Sequence, residues 1–119
     1  MDDLFFSLTP KIAMGLVESA LKDRWLYVTA GPLAGKQFIL YKPQTTMGSV
    51  QSCDIYLFKD ADILPEHALL VQKAGRIHLV ARGPVYLTGQ RVSSSRLLDS
   101  GADIQLGRYS FRYQERLRK

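Results

Sequence analysis

The sequence is short of the groups that most often carry catalysis and metal binding. It contains one cysteine, Cys53, and two histidines, His67 and His78. A single cysteine excludes an internal disulfide and fits a reducing compartment. No H-x3-H or C-x2-C spacing is present, so the sequence lacks a zinc-binding pattern. We therefore expect neither a metal nor a cofactor.

Long apolar runs are also missing. No uninterrupted apolar segment approaches the ~20 residues that a membrane-spanning helix needs. The chain begins Met-Asp-Asp, without the basic start of a secretory signal peptide. These absences predict a cytoplasmic location, or the cytoplasmic part of a membrane-associated protein, with any membrane contact indirect.

Two patterns that could suggest an enzyme are incomplete. Cys53, Asp54 and His67 include a nucleophile and a base, but their spacing in the sequence does not bring them together. The segment Gly31–Lys36 resembles a phosphate-binding loop without its G-x4-G-K-[ST] spacing, and a strand pattern follows it in place of a helix. The sequence therefore predicts a protein that is not an enzyme.

The positive charge is concentrated at the C-terminal end. The net charge is +5, and residues 108–119 contribute five basic residues and one acid, Glu115. A charged end of this kind is usually solvated and aids solubility. Contact with nucleic acid or an anionic membrane surface is the alternative, but the rest of the chain is nearly neutral, which disfavours nucleic acid as the partner.

An apolar segment and a helix are predicted at the N-terminus. Thr9 can cap a helix over residues 9–23, and Pro10 suits its first position. Apolar residues then recur at intervals of three and four, which predicts one apolar face. That face and the apolar segment Leu4–Leu8 predict docking or self-association through residues 4–21. We expect residues 1–23 to form this unit and residues 24–119 to form a separate fold.

From Arg24 onward, short segments alternate between apolar and polar residues and are separated by turn signals. Their spacing predicts an all-β sandwich of two antiparallel sheets with about ten to eleven short strands. Arg112 and Glu115 in the last strand are expected to protect a sheet edge. The predicted strands are Arg24–Thr29, Lys36–Tyr41, Asp54–Phe58, Ala68–Gln72, Arg76–Ala81, Val85–Leu87, Asp103–Leu106 and Ser110–Gln114.

A series of short motifs runs through this region. They read Gly48-x5-Asp54-Ile55, His67-Ala68, Thr88-Gly89, and a final Gly101-x2-Ile104-x-Leu106-Gly107. Together they resemble the forkhead-associated domain, a small β-sandwich that typically recognises phosphothreonine peptides. The resemblance implies structural roles for six residues, with His67 supporting the binding loops through hydrogen bonds. These residues are Gly48, Asp54, His67, Gly89, Gly101 and Gly107.

The same resemblance implies that the phosphate site is degenerate. Ser49 stands where the family has arginine, Leu64 where it has serine, and Gly83 where it has asparagine. Arginine holds phosphate through a charged fork of donors, and serine, leucine and glycine side chains offer no such charge. Acidic residues near these positions, among them Glu66, are expected to repel phosphate further.

These comparisons of residues predict a protein–protein interaction module that binds a protein or peptide partner independently of phosphate. One alternative is a remodelled phosphothreonine reader that uses Arg82 or Arg91. Another is an assembly domain of a larger membrane-associated or secretion complex. The residues predicted to form the peptide-binding loops are Ser49, Ser52, Lys59, Leu64, Glu66, Arg82, Gly83, Thr88 and Arg91.

Overall fold

The computed structural model describes residues 22–117. This range contains eleven β-strands and no helix. They are β1 (Lys22–Ala30), β2 (Gln37–Ile39), β3 (Gln44–Gly48), β4 (Ile55–Tyr56), β5 (Ala68–Lys73), β6 (Arg76–Ala81), β7 (Tyr86–Leu87), β8 (Gln90–Arg91), β9 (Ser95–Leu97), β10 (Asp103–Leu106) and β11 (Tyr109–Leu117).

The strands form two sheets, which confirms the predicted all-β sandwich. The first sheet has six strands in the order β2-β1-β11-β10-β7-β8, and the second has five in the order β4-β3-β5-β6-β9. Neighbouring strands are antiparallel except for β3 and β4, which run parallel. The chain passes from the first sheet to the second between β2 and β3.

The core lies between the sheets and is built by alternation along each strand. In β1, Leu26 and Val28 are fully buried, while Tyr27 between them points to the outer surface. In β11, Tyr109 and Phe111 are also fully buried. Burying a large apolar side chain contributes roughly 1.5–3 kcal/mol, so these two central strands supply much of the core.

Some strands match the sequence prediction and others were missed. The bounds of β6 and β10 are as predicted, and the Ala74-Gly75 turn before β6 has positive φ at both residues. Three strands were not predicted: β3 is rich in polar residues, β8 has two residues, and every residue of β9 is exposed. Such segments lack the alternation that identifies a strand.

The start of the fold corrects the predicted helix boundary. Lys22 and Asp23, expected at the end of a helix, are the first residues of β1 and pair with Leu117 and Arg116 of β11. The Lys22 ammonium also lies 3.4 Å from the Glu115 carboxylate. The strand therefore begins before the predicted domain boundary. The remaining helix residues, 9–21, and the self-association segment, 4–21, lie outside the described residues.

The prediction that Arg112 and Glu115 protect a sheet edge is wrong. Their strand, β11, lies between β1 and β10 in the middle of the first sheet. Arg112 donates a 3.0 Å hydrogen bond to Asp103 of the neighbouring strand, and Glu115 pairs with Lys22 on the other side. Both charged side chains therefore pair with residues of neighbouring strands in the same sheet.

A polar cluster closes the end of the sandwich that carries the β5–β6 turn, which we call the base. Arg24 is 3% exposed and donates a 2.7 Å hydrogen bond to the Gly75 carbonyl. Burial, followed by the hydrogen bond to Glu115, raises the pKa of Tyr113 well above its usual value. Burial also raises the pKa of Glu115, but Tyr113 and Lys22 outweigh it and leave that pKa lowered.

Asp54 ties β4 to β3. Its carboxylate accepts a 2.9 Å hydrogen bond from the Thr46 amide and a 3.1 Å bond from the Thr46 hydroxyl, and it forms an ion pair with Lys42. The hydrogen bond from Lys42, followed by that from the Thr46 amide, lowers the pKa of Asp54. A two-residue parallel strand has few backbone hydrogen bonds, so this side-chain clamp helps to hold it.

We expect Asp54→Asn to lower the free energy of unfolding by about 1 kcal/mol at pH 7. Because folding lowers the pKa of Asp54, its contribution is complete above the unfolded value near 3.8 and is lost as the pH falls through the lower folded value. Urea unfolding between pH 7 and pH 2 measures this. Asp99→Asn, at a side chain 88% exposed, is the control and should change little. An equal deficit for Asp54→Asn at both ends of the pH range would contradict the assignment.

Candidate functional site

Five loops meet at the end of the sandwich opposite the base, which we call the apex. Antiparallel pairing places the ends of β1, β3, β6 and β10 at this end, together with the starts of the strands that follow them. The apical loops are residues 31–36, 49–54, 57–67, 82–85 and 107–108.

His67 joins two of these loops and strand β3, and it is 1% exposed. The Leu64 amide donates a 3.0 Å hydrogen bond to Nδ1, so Nδ1 carries no proton. Nε2 lies 2.8 Å from the Pro84 carbonyl oxygen and must therefore donate to it. The ring is thus the neutral Nε2–H tautomer. Its two hydrogen bonds hold the β4–β5 loop and the β6–β7 loop at a fixed separation.

The backbone of His67 extends the same connection. Its amide donates to the Met47 carbonyl at 2.8 Å, and its own carbonyl accepts from the amides of Arg82 at 2.9 Å and Gly83 at 3.1 Å. The residue therefore makes five hydrogen bonds through its ring and its backbone. Buried polar groups that are all satisfied in this way make a rigid frame.

Two glycines allow the loops to approach this closely. A Cβ added to Gly48 would lie 2.7 Å from the Pro65 carbonyl carbon and 3.0 Å from Cys53 Sγ. A Cβ added to Gly83 would lie 2.6 Å from Cε1 of the His67 ring. Both sites exclude any side chain unless the neighbouring backbone or ring moves. Position 83 can therefore present no side chain while His67 keeps its place.

Ser49 and Leu64 lie side by side on the apex. The Ser49 amide donates a 3.0 Å hydrogen bond to the Leu64 carbonyl oxygen. Leu64 is 43% exposed and Val50, next to Ser49, is 37% exposed. The surface at this point is therefore apolar, with one hydroxyl and no charge.

Arg82 is the only arginine or lysine among residues 49–54, 64–67 and 82–85. Its Nη1 donates a 2.7 Å hydrogen bond to Glu66, and about half of each side chain is exposed. Exposed ion pairs contribute little stability, so the pair between Arg82 and Glu66 can open. Arg82 is available to a ligand only after it has separated from Glu66. The repulsion expected from Glu66 is correspondingly reduced by its partner.

Another acidic residue of the apex, Asp60, joins two of the apical loops. Asp60 accepts hydrogen bonds from the amides of Arg108, at 2.7 Å, and Asp62, at 3.0 Å. These bonds, that from Arg108 first, lower the pKa of Asp60. The Arg108 guanidinium also donates to the Lys59 carbonyl at 3.0 Å. Asp60 thus ties the β4–β5 loop to the β10–β11 turn.

The structure separates the predicted binding residues into groups. Ser49, Leu64, Glu66, Arg82 and Gly83 come together at the apex, and Ser52 is exposed in the β3–β4 loop.

The other predicted binding residues lie apart from this group. The Lys59 carbonyl oxygen accepts a hydrogen bond from Arg108, and Arg91 is opposite Tyr86 in the β7–β8 hairpin. The Thr88 amide donates to the carbonyl of Asp103, which begins β10, so Thr88 lies at the end of β10 away from the apex.

A cleft beside the apex was not foreseen. Its volume is about 680 Å³, and its walls include Asp62, Pro84, Tyr86, Gln105 and Gly107. These residues come from three separate parts of the chain, so no local motif marks the cleft. Alternation along β7 and β10, which turns Tyr86 and Gln105 outward, is the one signal that could have indicated this face.

Within residues 22–117, no group of three histidine, cysteine, aspartate or glutamate residues could hold a metal ion. The same range contains no helix long and apolar enough to cross a membrane.

Comparison with known proteins identifies the family. A family model described as "Inner membrane component of T3SS, cytoplasmic domain" matches residues 27–116. The chain belongs to this family. The match begins within β1 and ends within β11, so it includes all of the strands from β2 to β10.

Solved forkhead-associated domains share the fold of this family member, which confirms the resemblance. The N-terminal forkhead-associated domain of Rad53p from S. cerevisiae, solved with a phosphothreonine peptide, has a TM-score of 0.71 at 19% identity. That match covers 77% of this chain and 92% of the solved one. The forkhead-associated domain of the CT664 protein from Chlamydia trachomatis has a TM-score of 0.70 at 23% identity, with 77% and 96% covered.

Curated relatives include bacterial regulators. The oxoglutarate dehydrogenase inhibitor of Corynebacterium diphtheriae is 33% identical over 86 residues, and the match covers 71% of this chain. The glycogen accumulation regulator GarA of Mycolicibacterium smegmatis is 31% identical over 87 residues, again with 71% covered. The chain spans 59% and 54% of these two relatives.

We expect Gly48→Ala to lower the free energy of unfolding by about 3 kcal/mol, because the added Cβ meets the Pro65 backbone. The control is Gly35→Ala, where a Cβ meets nothing within 4 Å but φ is +93°. Left-handed strain alone should reduce stability there by about 1 kcal/mol. Urea unfolding of both variants measures the difference. Equal losses would show that Gly48 is not closely packed.

Proposed function

We propose that this domain is a non-catalytic protein-interaction module, cytoplasmic in location, that binds its partner without requiring a phosphate group. One observation supports this most strongly. Ser49, Leu64 and Gly83 occupy the positions where the forkhead-associated resemblance implies phosphopeptide ligands, and the nearby cation, Arg82, is paired with Glu66. The fold retains its frame at the apex, and the apex presents no uncompensated positive charge in those three loops.

The expected loss of phosphate affinity is large. Charge-assisted hydrogen bonds contribute roughly 1.5–3 kcal/mol each. Without the arginine and the serine, binding would weaken by about two to four orders of magnitude, since ~1.4 kcal/mol is a factor of ten. Gly83 adds to this, because the close approach of His67 leaves no room for an asparagine side chain.

The surface at the apex suits a protein partner. Leu64 and Val50 expose apolar side chains, and the cleft lined by Tyr86 and Gln105 also includes Pro84 of an apical loop. Concave sites with apolar walls and a few polar groups are typical binding sites. The family description, a cytoplasmic domain of an inner-membrane secretion component, supports binding within a larger assembly as the specific form of this function.

The proposal predicts that phosphorylation does not improve peptide binding. A library of phosphothreonine peptides and its unphosphorylated counterpart should show no phosphate-dependent binding to the full chain in fluorescence anisotropy. Micromolar binding that phosphatase treatment abolishes would overturn the proposal.

Restoring two ligands should restore part of the affinity. We expect the double variant Ser49→Arg with Leu64→Ser to bind phosphothreonine peptides at least tenfold more tightly than the wild type, because it regains charge-assisted bonds. The matched control is Ser52→Arg with Leu64→Ser, which adds the same charge at an exposed serine of the same loop. Equal gains in both variants would show that net charge alone, rather than the site, determines binding.

The ion pair between Arg82 and Glu66 favours a second candidate, a phosphothreonine reader in which phosphate displaces Glu66 from Arg82. Such a reader would bind phosphopeptides more tightly after Glu66→Gln and lose binding after Arg82→Gln. Arg91→Gln tests the other cation considered from the sequence, which lies opposite Tyr86 in the β7–β8 hairpin. No effect of any of these three changes would leave phosphate-independent binding as the function.

A further inference from the structure

The outer face of the first sheet is apolar where β1 and β2 meet. An antiparallel sheet with one face in water usually places apolar residues inward and polar residues outward. Here Trp25 and Tyr27 occupy successive outward positions of β1, and Ile39 of β2 lies opposite Trp25. Tyr27 is 39% exposed and Ile39 is 62% exposed. These three residues, which we call the outer patch, therefore indicate an interaction site.

A cation borders the outer patch. The Arg116 guanidinium lies 5.7 Å from the centre of the Trp25 ring. Its ion pair with Asp23 is 4.0 Å long, and 74% of the Arg116 side chain is exposed. Such a pair contributes little stability, so Arg116 can also pair with another carboxylate. A segment that combines apolar side chains with acidic ones would therefore suit this surface.

The sequence before β1 has this combination. Residues 1–21 contain three acidic residues and one basic residue, whereas the rest of the chain has fifteen basic and eight acidic residues. The two parts are therefore oppositely charged. Ile12, Leu16 and Ala20 recur at intervals of four and belong to the apolar face predicted from the sequence. Glu18 is the acidic residue closest to β1.

The point of attachment places this segment beside the outer patch. β1 begins with Lys22 at the base, and Arg116 of β11 pairs with the next residue, Asp23. Glu18 is four residues before Lys22 and can reach Arg116. A helix of about ten residues is ~15 Å long, and β1 extends ~13 Å from Asp23 to Tyr27. A short tether also gives an effective concentration of roughly millimolar, which favours this segment over a partner from solution.

We propose that residues 4–18 fold back over the outer patch of their own chain. Ile12 and Leu16 then pack against Trp25 and Ile39. The first sheet is covered on both faces as a result, by the core on its inner face and by this segment on its outer face. The segment is thus an intramolecular layer of the sandwich, and the apex stays open to a partner.

The fluorescence of Trp25, the one tryptophan of the sequence, tests this in the full chain. Leu16→Glu should release the segment, because docking would bury its carboxylate among apolar side chains. Acrylamide should then quench Trp25 more strongly, and its emission should shift to longer wavelength. The matched control is Ser19→Glu, which adds the same charge off the apolar face and should change neither. Circular dichroism checks that both variants are folded. Equal quenching of Trp25 in the wild type and in Leu16→Glu would overturn the proposal.

Cross-linking locates the docking surface. The double variant Leu16→Cys with Ile39→Cys should form a disulfide within one chain under mild oxidation, at a rate that does not depend on protein concentration. The control is Leu16→Cys with Leu97→Cys, on edge strand β9 of the second sheet, where the side chain is 42% exposed. It should form no such disulfide, and the native Cys53 is buried. A disulfide-linked dimer would place the segment on a second copy and overturn the proposal. Equal cross-linking of both pairs, or of neither, would also overturn it.

Discussion

The imidazole ring of His67 is the group on which the apex depends. Loops without regular secondary structure leave backbone groups to be satisfied, and buried ones need partners. Through its ring, His67 accepts from Leu64 and donates to Pro84, and through its backbone it bonds to Met47, Arg82 and Gly83. One residue thereby connects β3 and the loops that follow β4 and β6. The close packing at Gly83 follows directly from where the ring lies.

This arrangement separates the residues that shape the apex from those that would touch a ligand. His67 and Gly48 are buried and hold the loops. Leu64 is substantially exposed, and Ser49 contributes its backbone to the frame, so their side chains can change without altering it. The fold of the apex therefore tolerates different side chains at positions 49 and 64. Position 83 differs, because its side chain is excluded by the frame itself.

Local features were predictable from the sequence, and non-local ones were not. The alternation in β6 and β10 and the turn at Gly75 depend on neighbouring residues and match the structure. The central place of β11, which makes Arg112 and Glu115 interior to the sheet, depends on strand order. So does the distance of Thr88 from the apex. The burial of Arg24 was also unforeseen, because its partner, the Gly75 carbonyl, is 51 residues away.

We infer that a neutral His67 ring holds the apex in one shape. ¹⁵N NMR of the histidine ring nitrogens in the full chain tests it most directly. We expect one tautomer for His67 at pH 7, with a proton on Nε2 that is hydrogen-bonded to the Pro84 carbonyl and with Nδ1 unprotonated. We expect the same spectrum when inorganic phosphate is added. A ring that averages between tautomers, carries its proton on Nδ1, or changes when phosphate is added would contradict it.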